Sequence, residues 1–146
     1  MEIKFKKVHP DAKLPYRNSV EQPGTENSGF DVYAVEDKII PARGSAKVDT
    51  GLQFAYITPG YWVRVESRSG LGFNKGILAF NGIIDQPWRG DAGVKLINTT
   101  DQDYEIKKGD RICQFVVYPL IPCEISESDE VEETYRGDKG LGSSGR

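Results

Sequence analysis

Ile112-Cys113-Gln114-Phe115-Val116-Val117-Tyr118 is typical of a β-strand, and it follows the turn-forming residues Lys107-Lys108-Gly109-Asp110. Two more runs share this character, Trp62-Val63-Arg64-Val65 and Val94-Lys95-Leu96-Ile97. Along the chain, apolar residues alternate with polar ones and do not recur at helical spacing. Short strands at such intervals predict an all-β sandwich or barrel. The only stretch that could hold a helix is Ser69–Lys75, and its glycines weaken that prediction.

Size and charge narrow the class of protein. The chain has 146 residues and 16.3 kDa, which fits one domain. No apolar run approaches the roughly 20 residues that span a bilayer, and the first residues lack the apolar core of a signal peptide. We therefore expect a soluble, cytoplasmic protein. A net charge of −3 argues against a general nucleic-acid binder, which needs a dense basic face.

The scarcity of histidine and cysteine limits the chemistry. His9 is the only histidine, and Cys113 and Cys123 are the only cysteines. We expect two buried thiols in a reducing compartment, with a disulfide as the alternative. This set cannot form the usual four-ligand zinc site, and it leaves only His9 for Ser-His-Asp or Cys-His catalysis. Chemistry must then rest on carboxylates, arginines, hydroxyls or a metal held by oxygen.

Several loops carry polar groups suited to a phosphate ligand. In Ser67-Arg68-Ser69-Gly70, the Arg can hold phosphate oxygens and the Gly lets backbone amides approach an anion. Asn81-Gly82-Ile83-Ile84-Asp85 predicts a tight β-hairpin with positive φ, which would hold Asp85 rigidly as a general base. Further polar clusters are Ser28-Gly29-Phe30-Asp31 and Gly109-Asp110-Arg111-Ile112-Cys113-Gln114. Each pattern is also compatible with an ordinary turn.

The composition changes after Pro122, which predicts a core over residues 1–123, an acidic strand or linker over 124–135 and an arm over 136–146. The arm, rich in Gly and Ser, cannot bury enough apolar surface to be ordered unaided. It is either a disordered terminus or a segment that folds over a ligand, with Arg136 and backbone N–H groups holding phosphates.

The order of these motifs is more specific than any one of them. Ser28 to Ala34, Ser67 to Leu71, Gly82 to Gly90, Gly109 to Gln114 and Arg136 to Gly145 stand in the order and spacing of five family motifs, so the chain resembles the trimeric dUTPase family. The resemblance implies a jelly-roll homotrimer whose active sites are each assembled from all three subunits. It also implies hydrolysis of dUTP to dUMP and pyrophosphate, with Mg²⁺ bound mainly by the triphosphate and water.

The resemblance assigns roles to single residues. Asp85 would orient and deprotonate the water that attacks the α-phosphorus, and Asp31 would support the metal through its water shell. The phosphates would be held by Arg68, Ser69, Gly70 and Gln114, and the arm would close over them with Arg136, Gly140, Leu141, Gly142 and Ser143. The hairpin would read uracil at Asn81, Gly82 and Ile84, mostly through its backbone, and Trp88 would pack on the deoxyribose.

The chain departs from the family pattern at four positions. Trp88 replaces a Tyr that leaves no room for a ribose 2′-OH, and Leu141 replaces a Phe that stacks on uracil. Aromatic stacking on a base is worth about 1–3 kcal/mol, so we expect the arm to contribute less to KM here than is usual. Glu66-Ser67 replaces a small residue and a Pro before Arg68.

Two other functions remain as alternatives. One is a nucleotide enzyme related to the dCTP deaminase branch, either a deaminase or a bifunctional enzyme. That branch needs a Glu as general acid and base in the strand after the hairpin, where this chain has Lys95. The other alternative is a non-catalytic jelly-roll binding module. Its support would be the Arg-Gly-Asp triplets at Arg89 and Arg136, but both fall within the dUTPase motifs.

Overall fold

The fold is built from short antiparallel strands, as the alternating sequence predicts. A computed structural model describes residues 1–17, 24, 27–142 and 145 of the chain. Its strands are β1 (Ile3–Lys7), β2 (Phe30–Tyr33), β3 (Lys38–Ile40), β4 (Ser45–Val48), β5 (Leu52–Ile57), β6 (Tyr61–Glu66), β7 (Ile77–Ala79), β8 (Ile83–Ile84), β9 (Val94–Asn98), β10 (Tyr104–Ile106) and β11 (Arg111–Pro119). The all-β prediction is confirmed, and the sequence-predicted strands correspond to β6, β9 and β11.

The strands form four small sheets. Their orders are β1-β5, β10-β3, β2-β11-β6-β8 and β4-β9-β7, with antiparallel pairing throughout. The long strand β11 pairs with β2 on one side and with β6 on the other, so it lies at the centre of the largest sheet. Two turns contain glycines in the left-handed region, Gly60 (φ 88°) before β6 and Gly109 (φ 87°) in the predicted turn before β11.

One apolar core lies between the sheets. Phe54 of β5 is buried at its centre, with its ring 4.8 Å from Phe5 and 5.8 Å from Phe115 between centroids. These three rings come from three different strands, so side-chain packing holds the β1-β5 sheet against β11 of the largest sheet. Among the described residues, no helix is long and apolar enough to cross a membrane.

Two features differ from expectation or refine it. Cys113 is buried and Cys123 is exposed, so the prediction of two buried thiols is wrong for Cys123, which lies beyond the last strand and has no core to enter. Both thiols are free. The weak helix predicted over Ser69–Lys75 is a single π-helical turn, Gly70–Asn74.

Candidate active site

A cavity of about 640 Å³ lies beside β8 and the loop that follows it. It brings together four of the residues predicted to bind or act on a substrate, Gly82, Ile84, Asp85 and Trp88. The other lining residues are Lys47, Val65, Phe80, Ile83, Pro87, Asp91, Gly93, Val94 and Lys95. Asn81 is exposed and lies next to this lining without being part of it. The cavity therefore combines apolar walls with a carboxylate at one end of a strand.

The backbone around Asp85 is held on both sides. On one side, β8 pairs with β6, with Ile84 opposite Val63. On the other side, the N–H of Trp88 donates to the carbonyl of Asp85 at 3.0 Å and closes a turn. The side chain of Gln86, within that turn, donates to the carbonyl of Ile57 at 3.0 Å. These bonds fix the backbone of Asp85 relative to the cavity, and a general base needs such a defined position.

The prediction of a tight hairpin at Asn81-Gly82 is wrong. Among the described residues, neither has a positive φ, and the strands on either side belong to different sheets. β7 pairs with β9, whereas β8 pairs with β6, and the Val65 N–H donates to the Gly82 carbonyl at 2.9 Å. Each strand finds its hydrogen-bond partners elsewhere, so the segment crosses from one sheet to another and needs no left-handed turn.

A second group of predicted residues forms what we call the arginine cluster: Asp31, Arg68, Arg111 and Gln114. Nε of Arg68 donates to the Asp31 carboxylate at 2.9 Å, and both side chains are 25% exposed. Nη1 of Arg111 lies 3.5 Å from the other oxygen of Asp31. No hydrogen bond to the terminal nitrogens of Arg68 is found within the described part of the chain. They are therefore suited to bind an anion.

Gln114 is fixed at the centre of this cluster by its place in the sheet. On β11 it pairs with Asp31 on one side and with Glu66 on the other. Its Nε2 donates to the carbonyl of Ser67 at 3.0 Å. A Cβ at Gly29 would lie 2.2 Å from Oε1 of Gln114, so only glycine leaves room for this side chain. The sequence Ser28-Gly29-Phe30-Asp31 thus supports the cluster in two ways. Asp31 supplies the carboxylate, and Gly29 leaves room for the side chain of Gln114.

Ser69 and Gly70 follow Arg68 at the start of the π-helical turn, and both are exposed. A Cβ placed on Gly70 would meet nothing within 4 Å. The space above this backbone is therefore open to a ligand.

The predicted arm does not reach either group of residues within the chain. Arg136, Gly140, Leu141 and Gly142 are all exposed, and Nε of Arg136 donates to the carbonyl of Lys139 at 2.7 Å. Ser143 lies outside the described residues. A site that includes the arm must then involve either movement of this segment or a second copy of the chain.

Several ionisable groups near these sites have shifted pKa values. The N–H of Gly93, 2.8 Å from the Asp91 carboxylate, and then Lys47, with Nζ at 3.1 Å, hold the pKa of Asp91 below its usual value. Hydrogen bonding to Asp91 raises the pKa of Lys47. Burial raises the pKa of the Cys113 thiol beside Asp31, so this cysteine is a packing residue and not a nucleophile.

Sequence reasoning missed part of the cavity wall. Lys47 stands on β4, far from the motifs along the chain, and no local pattern connects it to Asp91. Gly93 follows the Trp88-Arg89-Gly90 motif, and a Cβ there would lie 2.4 Å from Cε of Lys47. Lys95, the residue at the position where a deaminase would need a Glu, also lines the cavity.

The chain is similar to known proteins of one family. The family model described as dUTPase matches residues 18–145. A deoxyuridine 5′-triphosphate nucleotidohydrolase of Helicobacter hepaticus is 42% identical over 99% of this chain and 89% of its own length. The protein of that name from Arabidopsis thaliana is 38% identical over 98% of this chain and 82% of its own.

Solved structures agree. A Staphylococcus bacteriophage 80alpha dUTPase with dUpNHpp aligns over 99% of both chains with a TM-score of 0.85 and 25% identity. A mutant dUTPase of phage phi11 of S. aureus, 20% identical with a TM-score of 0.77 over 89% of this chain and 98% of its own, shares the fold and is described with a structural Mg(II) ion.

The all-β architecture, the Asp85 cavity and the arginine cluster are thus found in a chain matched over nearly its whole length by a single family. The protein is a member of the dUTPase family, hydrolases that act on dUTP, and it has their jelly-roll fold.

Proposed function

We propose that this protein hydrolyses dUTP to dUMP and pyrophosphate by attack of a water molecule on the α-phosphorus, with Asp85 as the general base. The observation that carries this proposal is the position of Asp85, which follows β8 in the wall of a cavity of nucleoside size. A base and sugar bound in the cavity would leave the first phosphate beside this carboxylate. Asp85 then orients the water and takes its proton as the P–O bond forms.

The cavity walls suit a uracil nucleoside. Val65, Phe80 and Ile84 provide apolar surface for the flat base, and the backbone around Asn81 and Gly82 provides the polar groups that would read its edge. Trp88 stands at the Asp85 end, where its indole would face the deoxyribose.

The residues of the site are compatible with a Mg²⁺ ion that is bound mainly by the nucleotide phosphates and by water. The described residues contain no group of three or more His, Cys, Asp or Glu side chains suited to a metal ion. Asp31 is already paired with Arg68 and Arg111, so its role toward the metal would be indirect, through a bound water. Mg²⁺ prefers oxygen ligands, keeps several waters and binds substrate phosphates, and when bound it neutralises the charge of the triphosphate.

The phosphates would be held by residues outside the cavity. Arg68, through its terminal nitrogens, and Gln114, Ser69 and Gly70 offer donors to phosphate oxygens. The arm supplies Arg136 and the N–H groups of Gly140, Leu141, Gly142 and Ser143. Closure of the arm would exclude water from the reacting phosphate, which strengthens electrostatic interactions there.

We infer a homotrimer with shared active sites from exposed apolar side chains and an apolar groove on the single chain. Ile125, Val131 and Tyr135 project from the acidic segment over residues 124–135, which packs against none of its own core, and these apolar side chains would need cover. A groove of about 870 Å³ is lined by the apolar residues Ile3, Phe5, Phe30, Phe115 and Val117 and by the charged residues Glu2, Lys4 and Arg17, of which Glu2 pairs with Lys4. Its apolar lining would cover the apolar side chains of the acidic segment of a neighbouring copy, and Arg17 would face the carboxylates of that segment. The two free cysteines agree with a reducing, cytoplasmic location.

A chromatographic product assay tests the reaction. With Mg²⁺, we expect dUMP and pyrophosphate from dUTP, little turnover of dCTP, UTP or dTTP, and loss of activity with EDTA. Formation of a uracil nucleotide from dCTP would replace the proposal with deamination. Absence of turnover with all four nucleotides would favour a binding module.

A complementation experiment tests the shared site. By the proposal, Asp85→Asn protein and protein truncated after Tyr135 each retain only a small fraction of the activity, because the first lacks its base and the second lacks its arm. Unfolded together and refolded as a mixture, they form trimers in which the Asp85 of a truncated chain meets the arm of an Asp85→Asn chain. Activity should return only in the mixture, and a mixture that stays inactive although native mass spectrometry shows mixed trimers would contradict shared sites.

A further inference from the structure

The indole of Trp88 lies directly on the backbone of Gly90. A Cβ at Gly90 would lie 2.1 Å from Cζ2 of the indole, 2.5 Å from Cε2 and 2.7 Å from Cη2. Carbon atoms that are not bonded to each other settle about 3.5–4.0 Å apart. The backbone of Gly90 is outside the left-handed region, so conformation alone does not require glycine there. Glycine is required because the ring occupies the space of the missing side chain.

A hydrogen bond fixes the ring in this place. The indole Nε1–H donates to the carbonyl of Asp91 at 3.3 Å. Asp91 in turn is held by Lys47 and by the N–H of Gly93. The indole thus packs on the Gly90 backbone and is hydrogen-bonded at its edge to the Asp91 carbonyl, although Trp88 is 50% exposed.

The backbone under the ring cannot easily move aside. The carbonyl of Gly90 accepts a hydrogen bond from the N–H of Phe54 at 3.0 Å, and Phe54 is buried at the centre of the core. The carbonyl of Arg89 accepts from Nε2 of Gln53 at 2.7 Å. A side chain added at Gly90 would therefore displace the ring and leave the backbone in place.

From these contacts we infer that Gly90 is a positioning residue for substrate specificity. It sets the indole of Trp88 as a fixed wall of the cavity, and this wall excludes a ribose 2′-OH. The inference rests on the proposed function. A fixed wall rejects the larger sugar by collision, whereas a ring free to move would yield to it at little cost. Tryptophan at position 88 is suited to this role because its N–H reaches the Asp91 carbonyl.

The test compares dUTP and UTP in a double-mutant cycle of Gly90→Ala and Trp88→Ala. In Gly90→Ala we expect the kcat/KM ratio of dUTP over UTP to fall about tenfold, mainly through KM, which corresponds to about 1.4 kcal/mol. In the Trp88→Ala background, Gly90→Ala should change the ratio less than about twofold, because the ring through which it acts is absent.

Two results would overturn the inference while leaving dUTP hydrolysis intact. One is an unchanged ratio in a folded Gly90→Ala enzyme, and the other is an equal fall in both backgrounds, which would indicate a structural effect alone. Loss of the proposed function itself would be recognised differently, as failure of the unmodified protein to hydrolyse dUTP.

A second measurement does not depend on the folding of Gly90→Ala. Trp62 stacks on Tyr118 with centroids 4.9 Å apart, and Trp62→Phe leaves Trp88 as the only tryptophan. Time-resolved fluorescence anisotropy of this variant should show an indole that rotates only with the protein. Subnanosecond rotation of the indole, typical of an exposed side chain that is not held, would contradict the inference.

Discussion

The loop that follows β8 and the segment that follows β11 both carry site residues, yet one is tightly bonded and the other is not. Residues 85–93 are tied to β5 through Gln86, Arg89, Gly90 and Ala92, whose partners lie far away in the sequence. By contrast, all hydrogen bonds found for the described residues 121–142 join positions at most three apart.

This difference separates two tasks of the site. In the proposed mechanism, the part that would recognise a base and orient a water is built in advance, because a small displacement of a general base costs much of its effect. The arm would gain its contacts only with a ligand or a neighbouring copy, so that substrate could enter and product could leave.

The largest effect on activity is expected from a substitution of Asp85, in the tightly bonded loop after β8. Asp85→Asn removes the proton acceptor while keeping the size of the side chain, so kcat should fall about 1,000-fold. Binding of dUpNHpp, measured by calorimetry, should change less than about threefold, since the cavity walls are unaltered.

Asp101→Asn provides a matched control, because Asp101 is an exposed residue in a turn away from both groups of site residues. Its kcat should equal that of the unmodified protein. An Asp85→Asn enzyme that kept most of its kcat would show that another group is the base.

Deletion of residues 136–146 tests the other side of the comparison. Activity should fall about 100-fold, because the arm's phosphate donors and its exclusion of water are lost. The melting temperature should change less than about 2 °C, because the arm packs on none of its own core. Differential scanning calorimetry would contradict this view of the arm if it showed a decrease above about 5 °C.

The two regions also differ in what sequence reasoning could predict. The strands β6, β9 and β11 could be predicted because their alternation reflects a core on one face. The hairpin at Asn81-Gly82 could not be judged correctly, since a local turn preference does not show that β7 and β8 bond to other strands. The pairing of Lys47 with Asp91 joins residues far apart in the chain and leaves no local signal.

The site residues themselves were identified by motif order, and chemistry alone would not have grouped them. Asp31, Arg68 and Gln114 meet because β2, β11 and β6 are neighbours in one sheet, which only the fold determines. The place of the arm in the site stays a prediction, since it depends on what it closes over.

Leu141→Phe should strengthen the contact between the arm and the substrate. A Phe at this position could stack on the uracil, and base stacking on an aromatic ring is worth about 1–3 kcal/mol by alanine substitution. Because Leu already covers part of the base, we expect KM for dUTP to fall about threefold to tenfold. Steady-state kinetics at constant Mg²⁺ measures this change in KM, with Ile39→Phe, at an exposed apolar residue of β3 outside both groups of site residues, as the control. An unchanged KM would show that this position does not reach the base.

The smallest effect concerns acid stability of the prebuilt loop. The pKa of Asp91 is lowered in the folded protein, first by the Gly93 N–H and then by Lys47, so the folded state binds fewer protons than the unfolded state near the unfolded pKa of about 4. The stabilisation from Asp91 is therefore present above this pKa and is lost as the pH falls through the lower, folded value. Because the side chain is largely exposed, the contribution is screened and amounts to about 0.2–1 kcal/mol.

Urea unfolding of the unmodified protein and of Asp91→Asn at pH 7 and pH 3 measures this contribution. The difference in the free energy of unfolding between the two proteins should shrink at pH 3. A difference that is the same at both pH values would mean that the carboxylate charge does not help to hold the loop under Trp88.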